Sequence, residues 1–386
     1  MKVAILSSVF KKEADNKEVE EDLYFVGNSV KKVLEDAGHE ALFFDVNEKT
    51  FEELRHSDID IAFNVCERFN GSSLFEPHIA SMLELLNIPY TGSGPLTLAT
   101  CINKVRVKEI LMHHGILTPN YQVFYSRNKK LDPELQFPLI VKPVCMDNSI
   151  GILSDAVVNN EEELRTKVSH ILRTYDQPAL VEEFINGKEI TVGVLGNGRS
   201  ATVLPTSEVV FRNWPEEESK VYGYEAKWSK DTEQSRRICI ESPADLPKYQ
   251  EYRIKRTALQ VYTILGVRDY GRVDMRISAE GVPYVLEMNP NPGISPTTLD
   301  DEQPDFIPFA AEKMGMDYEK LILRIFNEAL ERYNMTIKVM PTPKLGVQES
   351  IITATPALAQ ETITPVSIEV KQKSKERAKV EPDIIY

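Results

Sequence analysis

Apolar and polar positions along this chain follow two periods, and the change from one to the other marks out the elements. KVAILSS (2–8), HEALFFDV (39–46) and IDIAFNVCE (59–67) are short apolar runs, the pattern of strands covered on both faces. Between the first two, EVEEDLYFVGNSVKKVLEDAG puts Val26, Val30, Val33, Leu34 and Ala37 on one helical face and stops at Gly38. Strand–helix–strand order with apolar strands predicts a parallel α/β sheet. PHIASMLELLN is the next helix, and IPYTGSG a short strand entering a turn.

From about Thr97 the pattern changes. LATCINKVRVKEILMHHG reads as one helix ending at Gly115. FPLIVKPV (137–144) is a strand, CMDNSIGI a loop that returns as a strand, and EEELRTKVSHILRTY a helix. ALVEEFI (179–185) and EITVGVLG (189–196) read as strands around Asn186-Gly187-Lys188, completing a small α+β unit. Residues 208–247 are polar and irregular, the character of a lid loop. The helix EYRIKRTALQVYTILG leads into two strands, VDMRI and VPYVLEM. MDYEKLILRIFNEALERY is amphipathic, with Ile322, Ile325, Phe326, Ala329, Leu330 and Tyr333 on one stripe. The expected divisions are an α/β domain over 1–96, a small central subdomain over 97–178, a third over 179–335 and a disordered tail over 336–386.

Composition narrows the function. The 386 residues suffice for two or three domains, and 42% apolar with 27% charged residues is ordinary for a globular protein. A net charge of -14 argues against nonspecific binding to nucleic acid or anionic membrane. Charges nearly balance after residue 336, so the acidity belongs to the folded body. Cys66, Cys101, Cys145 and Cys239 form no CxxC, and the six histidines no HExxH. No run resembles a signal peptide or a membrane span, so a cytoplasmic protein with reduced thiols is expected. The loop after the first strand lacks GxGxxG, which argues against a nicotinamide or flavin enzyme.

The chemistry concentrates in YGRVDMRISAEGVPYVLEMNPNPGISPTTL (270–299). With Glu280-Gly281 as a two-residue turn, Asp274 faces Glu287 and Arg272 faces Asn289. Period-2 alternation sets Arg272, Asp274 and Arg276 on one face with Val285, Glu287 and Asn289. Two facing carboxylates repel unless a cation lies between them. Asp274, Glu287 and Asn289 are the oxygen donors that Mg²⁺ prefers, and with a phosphate they suggest a nucleoside-triphosphate site. A solvated hairpin with paired charges is the alternative, and the Pro- and Gly-rich NPNPG, which keeps Asn289 and Asn291 near the carboxylates, weighs against it. Lys142 ends a buried strand, where its ammonium needs an anionic partner: a protein carboxylate or a nucleotide phosphate.

GRVDMRI with VLEMNPNPG, together with IPYTGSG and Asn103-Lys104, resembles the D-alanine–D-alanine ligases of the ATP-grasp superfamily. The likeness spans about 1–333 and is closest from Ile88 onward. It implies an ATP-grasp fold and an ATP-dependent carboxylate–amine ligase that works through an acyl phosphate, with two Mg²⁺ (or Mn²⁺), amino-acid or peptide substrates, a place in peptidoglycan synthesis and possible pairing as a homodimer. It also assigns roles by position. Lys104, Lys142 and Lys227 bind ATP phosphates, with Asn148 and Ser149 in the loop above them. Glu182, Glu183, Phe184 and Ile185 present backbone to adenine, and Glu189 holds the ribose. Asp274, Glu287 and Asn289 bind metal. Arg272 stabilises the tetrahedral intermediate, and Gly293 and Thr298 line the acceptor pocket with it. Two segments depart from the family: SSVFKKEADNKEVEED and NVCERFNGSS replace its GG-x-S-x-E and HGxxGED segments at the first-substrate end. Glu18 and Glu67 are candidates to replace the family's residues there, and Glu13 and Asp15 are further carboxylates on offer. The departures favour a ligase for other amino acids or peptides as a rival; a non-catalytic nucleotide-binding scaffold is a second.

Overall fold

The computed structural model describes residues 1–8, 17–229, 232–298 and 302–335. The expected tail, Glu13, Asp15 and the side chain of Glu18 lie outside them. The first apolar runs become strands β1 (Lys2–Ser8), β2 (Glu40–Val46) and β3 (Ile61–Asn64), paired in parallel in the order β2-β1-β3. Helix α1 (Lys17–Asp36) lays Val26, Val30, Val33 and Leu34 against Val3 and Ile5. Ala37, expected on that face, is exposed because the helix ends at Asp36 and Gly38 turns the chain at φ 86°. Helices α2 (Thr50–Arg55) and α3 (Glu76–Leu85) cover the other face, packing Leu54, Ile79 and Leu83 on Ala4 and Leu6. IPYTGSG contributes only a single bridge, Tyr90 to Ala62.

The helix expected over Leu98–Gly115 is two helices, α4 (Pro95–Ile102) and α5 (Lys104–His113). The chain leaves helical geometry at Asn103, whose side chain accepts hydrogen bonds from the Val105 and Arg106 amides, 3.1 Å each. Apolar periodicity runs through this N-cap and so conceals it. The break puts Lys104 in the first turn of α5.

Strands β4 (Tyr121–Phe124), β5 (Leu139–Pro143), β6 (Val157–Val158) and β7 (Ala179–Glu183) form an antiparallel sheet, order β4-β7-β5-β6. Helix α6 (Glu161–Thr174) covers it with Leu164, Val168 and Ile171. CMDNSIGI does not itself return as a strand: Asn148, Ser149 and Gly151 take φ of 51°, 60° and 82°, which no strand accepts. The expected limit at 178/179 divides α6 from β7, although β7 pairs with β4 and β5. Strand pairing passes to the next sheet only between Glu183 and Lys188.

That sheet contains β8 (Lys188–Leu195), β9 (Thr202–Phe211), β10 (Ile238–Glu241), β11 (Tyr270–Ile277) and β12 (Pro283–Asn289), order β10-β9-β8-β11-β12. The lid segment 208–247 is less irregular than its charges suggest. It completes β9, forms α7 (Tyr224–Trp228) and α8 (Glu233–Arg236), and supplies β10, where Ile238 and Ile240 pack on Val209. Helix α9 (Lys248–Ile264) covers one face of the sheet, setting Ile254, Ala258 and Val261 on Val192, Val273 and Met275. Helices α10 (Phe306–Glu312) and α11 (Tyr318–Arg332) join the core of the first sheet through Ile307, Ile322 and Phe326. Gly187 is required by close approach: a Cβ there would lie 1.7 Å from the Ile277 carbonyl oxygen.

Asp269 ties distant segments together. Fully buried, it accepts from Arg332 at 2.7 and 3.1 Å, from the Gly92 amide at 2.7 Å and from Asn197 Nδ2 at 2.8 Å. Arg332 also donates to the Tyr90 carbonyl at 2.7 Å, so one ion pair joins the end of α11 to the segment after α3. Removing the cation alone leaves a buried carboxylate uncompensated. Arg332→Met is expected to cost ~3 kcal/mol in urea unfolding, and Asp269→Asn with Arg332→Met together less than the sum of the two single changes.

Candidate active site

The hairpin of β11 and β12 has the expected register at its chemical end: Arg272 opposite Asn289, Asp274 opposite Glu287. Its turn is different. Ile277 pairs with Pro283, so the loop is longer than two residues, and the Gly281 amide closes on the Ser278 carbonyl with Gly281 at φ 77°. The register then slips by one residue between Asp274/Glu287 and Met275/Val285. Leu286 is the extra residue of this bulge. Val285, expected on the site face, is consequently buried in the core with Val273 and Met275, and Leu286 lines the cleft beside Glu287.

Each charge on this face has a partner. Asp274 accepts from Arg272 at 3.0 and 3.1 Å, from Thr191 Oγ1 at 2.9 Å and from Asn289 Nδ2 at 2.8 Å. Glu287 Oε2 lies 2.9 Å from Lys104 Nζ, which also donates to the Met146 carbonyl at 2.5 Å. Burial alone would raise the Glu287 carboxyl; Lys104 and then Lys142 outweigh it and hold it at about 2. Among the described residues no group of three or more His, Cys, Asp or Glu side chains is placed to hold a metal alone. Two carboxylates and one amide oxygen fit Mg²⁺, which keeps several waters and takes further oxygens from substrate phosphates.

A cleft of about 880 Å³, open solvent at its mouth included, lies over this hairpin. It brings together Lys142, Asn148, Ser149, Glu182, Glu183, Phe184, Ile185, Glu189, Lys227, Arg272, Asp274 and Glu287. The partner of Lys142 in the structure is a protein carboxylate: Glu182 Oε2, at 2.7 Å. Glu189 pairs with Arg276 at 2.8 Å, and burial still raises its carboxyl above the ordinary range. Arg276 organises the whole turn before β8. It donates to the carbonyls of Ile185, Gly187 and Lys220 and lies 4.6 Å over the Phe184 ring. Period-2 alternation put Arg276 on the site face, but only the neighbouring strand shows what it holds.

Over the cleft, the loop at Asn148-Ser149 is latched to α7. Lys227 Nζ donates to Asn148 Oδ1 at 3.4 Å, Trp228 Nε1 to the Asn148 carbonyl at 3.1 Å, and Ser149 Oγ to the Tyr222 carbonyl at 3.3 Å. Asn148 Nδ2 reaches the opposite way, to Glu67 Oε2 at 3.1 Å.

Glu67 opens a second recess, which shares Asn148, Arg272 and Glu287 with the first and adds Glu76, Lys104, Asp147, Asn289 and Gly293. A Cβ at Gly293 would lie 2.6 Å from Asp305 Oδ2, so this turn admits only glycine without rearrangement. Thr298 is exposed and lines neither space. Glu76 was not legible as a site residue, because it reads as the first turn of an ordinary helix. In the structure it is buried, accepts from Asn291 Nδ2 at 3.1 Å, and is raised by burial and by Glu67. Burial and then Asp147 push Glu67 up to about 8.

Residues 110–327 match the family described as D-ala D-ala ligase C-terminus. The D-alanine–D-alanine ligase of Bordetella petrii is 32% identical over 305 residues, 78% of this chain and 86% of that protein. That of Methylibium petroleiphilum is 34% identical over 310 residues, 78% and 89% of the two chains. Among solved structures, the D-alanine–D-alanine ligase of Bacillus anthracis complexed with ATP matches with a TM-score of 0.66 and 25% identity, covering 86% of this chain and 98% of that one.

The raised Glu67 carboxyl has a consequence for stability. Its folded value of about 8 lies above the ordinary 4.5. The neutral form therefore favours folding below pH 4.5, and that contribution is lost as pH rises through about 8. Glu67→Gln is expected to flatten the fall in melting temperature between those values and to melt above the wild type at pH 8.5. Parallel pH profiles for the two proteins would show this contribution to be absent.

Proposed function

The chain belongs to the D-alanine–D-alanine ligase family, and from that premise we propose how its residues act and on what. It has the ATP-grasp fold and is an ATP-dependent ligase that joins a carboxylate to an amine. The observation that carries the residue assignment is one cleft wall: Asp274 facing Glu287, with Lys104, Lys142 and Arg272 around them.

In the proposed mechanism, ATP lies in the larger cleft. Its phosphates take up Lys142 and Lys104, with Lys227 closing from α7. Glu189 and the backbone of Glu183–Ile185 hold the nucleoside, and Arg276 fixes that segment. Asp274, Glu287 and Asn289 would hold Mg²⁺, which would neutralise phosphate charge. Two such ions are proposed. A donor carboxylate oxygen attacks the γ-phosphorus, the bond to the β–γ bridging oxygen breaks, and ADP and an acyl phosphate form. The acceptor amine attacks the acyl carbon, the C–O bond to phosphate breaks, and the nitrogen's proton passes to the departing phosphate. Arg272, 12% exposed, faces both spaces and is suited to the oxyanion of the tetrahedral intermediate. The latch between Asn148-Ser149 and α7 excludes water from the acyl phosphate.

We propose D-alanine as the acceptor, bound near Arg272 and Gly293. The donor end is where this chain differs, since Glu67, Glu76 and Asp147 line the recess. There a donor of other structure is the favoured reading, and these three carboxyls are the groups that meet it.

Two outcomes test the proposal. Glu287→Gln is expected to reduce ATP-driven ligation by about two orders of magnitude, roughly 3 kcal/mol of charge stabilisation, with the circular dichroism spectrum unchanged. Near-normal turnover by that variant would remove Glu287 from the site. Phosphate release measured over D- and L-amino acids, with donor and acceptor varied separately, is expected to show the stricter selectivity at the acceptor. Strict D-alanine selectivity at the donor end would overturn that assignment.

A further inference from the structure

Beneath the larger cleft, three charged side chains form a row that the mechanism uses at one end only. Glu182 is fully buried between two lysines, its Oε1 2.5 Å from Lys108 Nζ and its Oε2 2.7 Å from Lys142 Nζ. Lys142 lines the cleft. Lys108 is fully buried behind it, in a fixed cage: its ammonium also donates to Thr118 Oγ1 at 2.5 Å and lies 5.5 Å over the Tyr121 ring. It stands one turn after Lys104 on α5, so a single helix sends one ammonium into the site and another underneath.

We propose that Lys108 is a positioning residue for Lys142 and acts through Glu182. An inference about a phosphate lysine, it rests on the reading of this cleft as the ATP site. The physical argument is one of charge compensation. Were Glu182 and Lys142 alone, turning Lys142 toward a phosphate would strand a carboxylate in the interior, where an unpaired charge is unstable. The nucleotide would have to break a buried ion pair to bind. With Lys108 fixed on the other oxygen, Glu182 keeps a cation while Lys142 turns, and the row retains one positive charge in excess for the phosphates. Burial pushes Lys108 down to about 8 while Glu182 pulls it up, as expected of an ammonium retained in the interior by one carboxylate. Lys108 itself reaches no substrate.

The test is a cycle of Lys108→Met, Glu182→Gln and the double variant, read by ATP affinity in the presence of Mg²⁺ and by separate KM values for ATP and the amino acids. Lys108→Met is expected to weaken ATP about tenfold, in the mid-range for residues sharing one ion-pair network. The amino-acid KM values stay unchanged. Adding Glu182→Gln to Lys108→Met is expected to restore ATP affinity, because the carboxylate that traps Lys142 is gone; a purely structural Lys108 would give no such rescue. Unchanged ATP affinity in Lys108→Met, or a double variant no better than it, overturns the proposal. Where Lys108→Met does not fold, the double variant is compared with Glu182→Gln: equal ATP affinity supports the proposal, and a tenfold weaker double variant overturns it. A wild-type chain that shows no saturable ATP binding overturns the reading of the cleft, and the role of Lys108 with it.

Discussion

Charge compensation in a poorly solvated cleft is the constraint on which this architecture depends. Lys104 is held by Glu287, Lys142 by Glu182, Arg272 by Asp274 and Arg276 by Glu189. Three of these pairs cross between different elements and so also tie them together, whereas Arg272 and Asp274 stand two residues apart on β11. Taking an ion from water into such a place costs several kcal/mol, and close, well-formed pairs offset that cost. Pairs of this kind contribute little net stability, yet they are strongly destabilising when halved. In the proposed mechanism they bring the wall of the cleft to substrate already charged and already oriented, which is the preorganisation that phosphoryl transfer requires.

The backbone serves this wall through local irregularities. Asn103 breaks a continuous helical pattern and so aims Lys104 at Glu287. The bulge at Leu286 lets the hairpin turn be one length while the Asp274–Glu287 facing is set by another. Asn148 and Ser149, held at positive φ, lift the loop above Lys142 to where α7 can bond to it. Left-handed non-glycine residues of this kind persist where the surroundings over-determine them.

These features decide what could be read from the sequence. Strands and amphipathic helices were legible because burial imposes period 2 or 3.6 wherever a face is covered. The facing of Asp274 and Glu287 was legible for a less secure reason: a turn taken one residue too short and an unforeseen bulge cancel at that end of the hairpin. They do not cancel at Val285, which went to the wrong face. Glu76 and the buried Lys108 were not legible, and Arg276 was placed on the site face without its partners, since a polar residue on a helix or strand reads as solvated until its neighbours in the fold are known. The lid segment was misread because its charges mask the alternation of Val209, Ile238 and Ile240. The family resemblance named residues that the structure gathers along one cleft; where the chain departs from the family it left only loose candidates, and there the structure sets Glu67 beside Glu76 in one recess.

An acidic protein that uses ATP presents an electrostatic problem that net charge alone cannot resolve. A charge of -14 is that of a surface which repels a nucleotide at long range. At physiological ionic strength that repulsion is largely screened beyond about 8 Å, so it affects encounter more than binding. Inside the cleft the screening is weak and the nearest groups decide. There the carboxylates are already occupied, and in the proposed ATP site phosphates meet ammonium and guanidinium groups whose partners can be exchanged. In the neighbouring recess, burial raises Glu67 and Glu76, so near neutral pH the extra carboxyls add less negative charge than their number suggests. The sign of the field that a substrate meets is thus set by how the buried groups are paired and protonated, and the surface composition of the chain has little part in it.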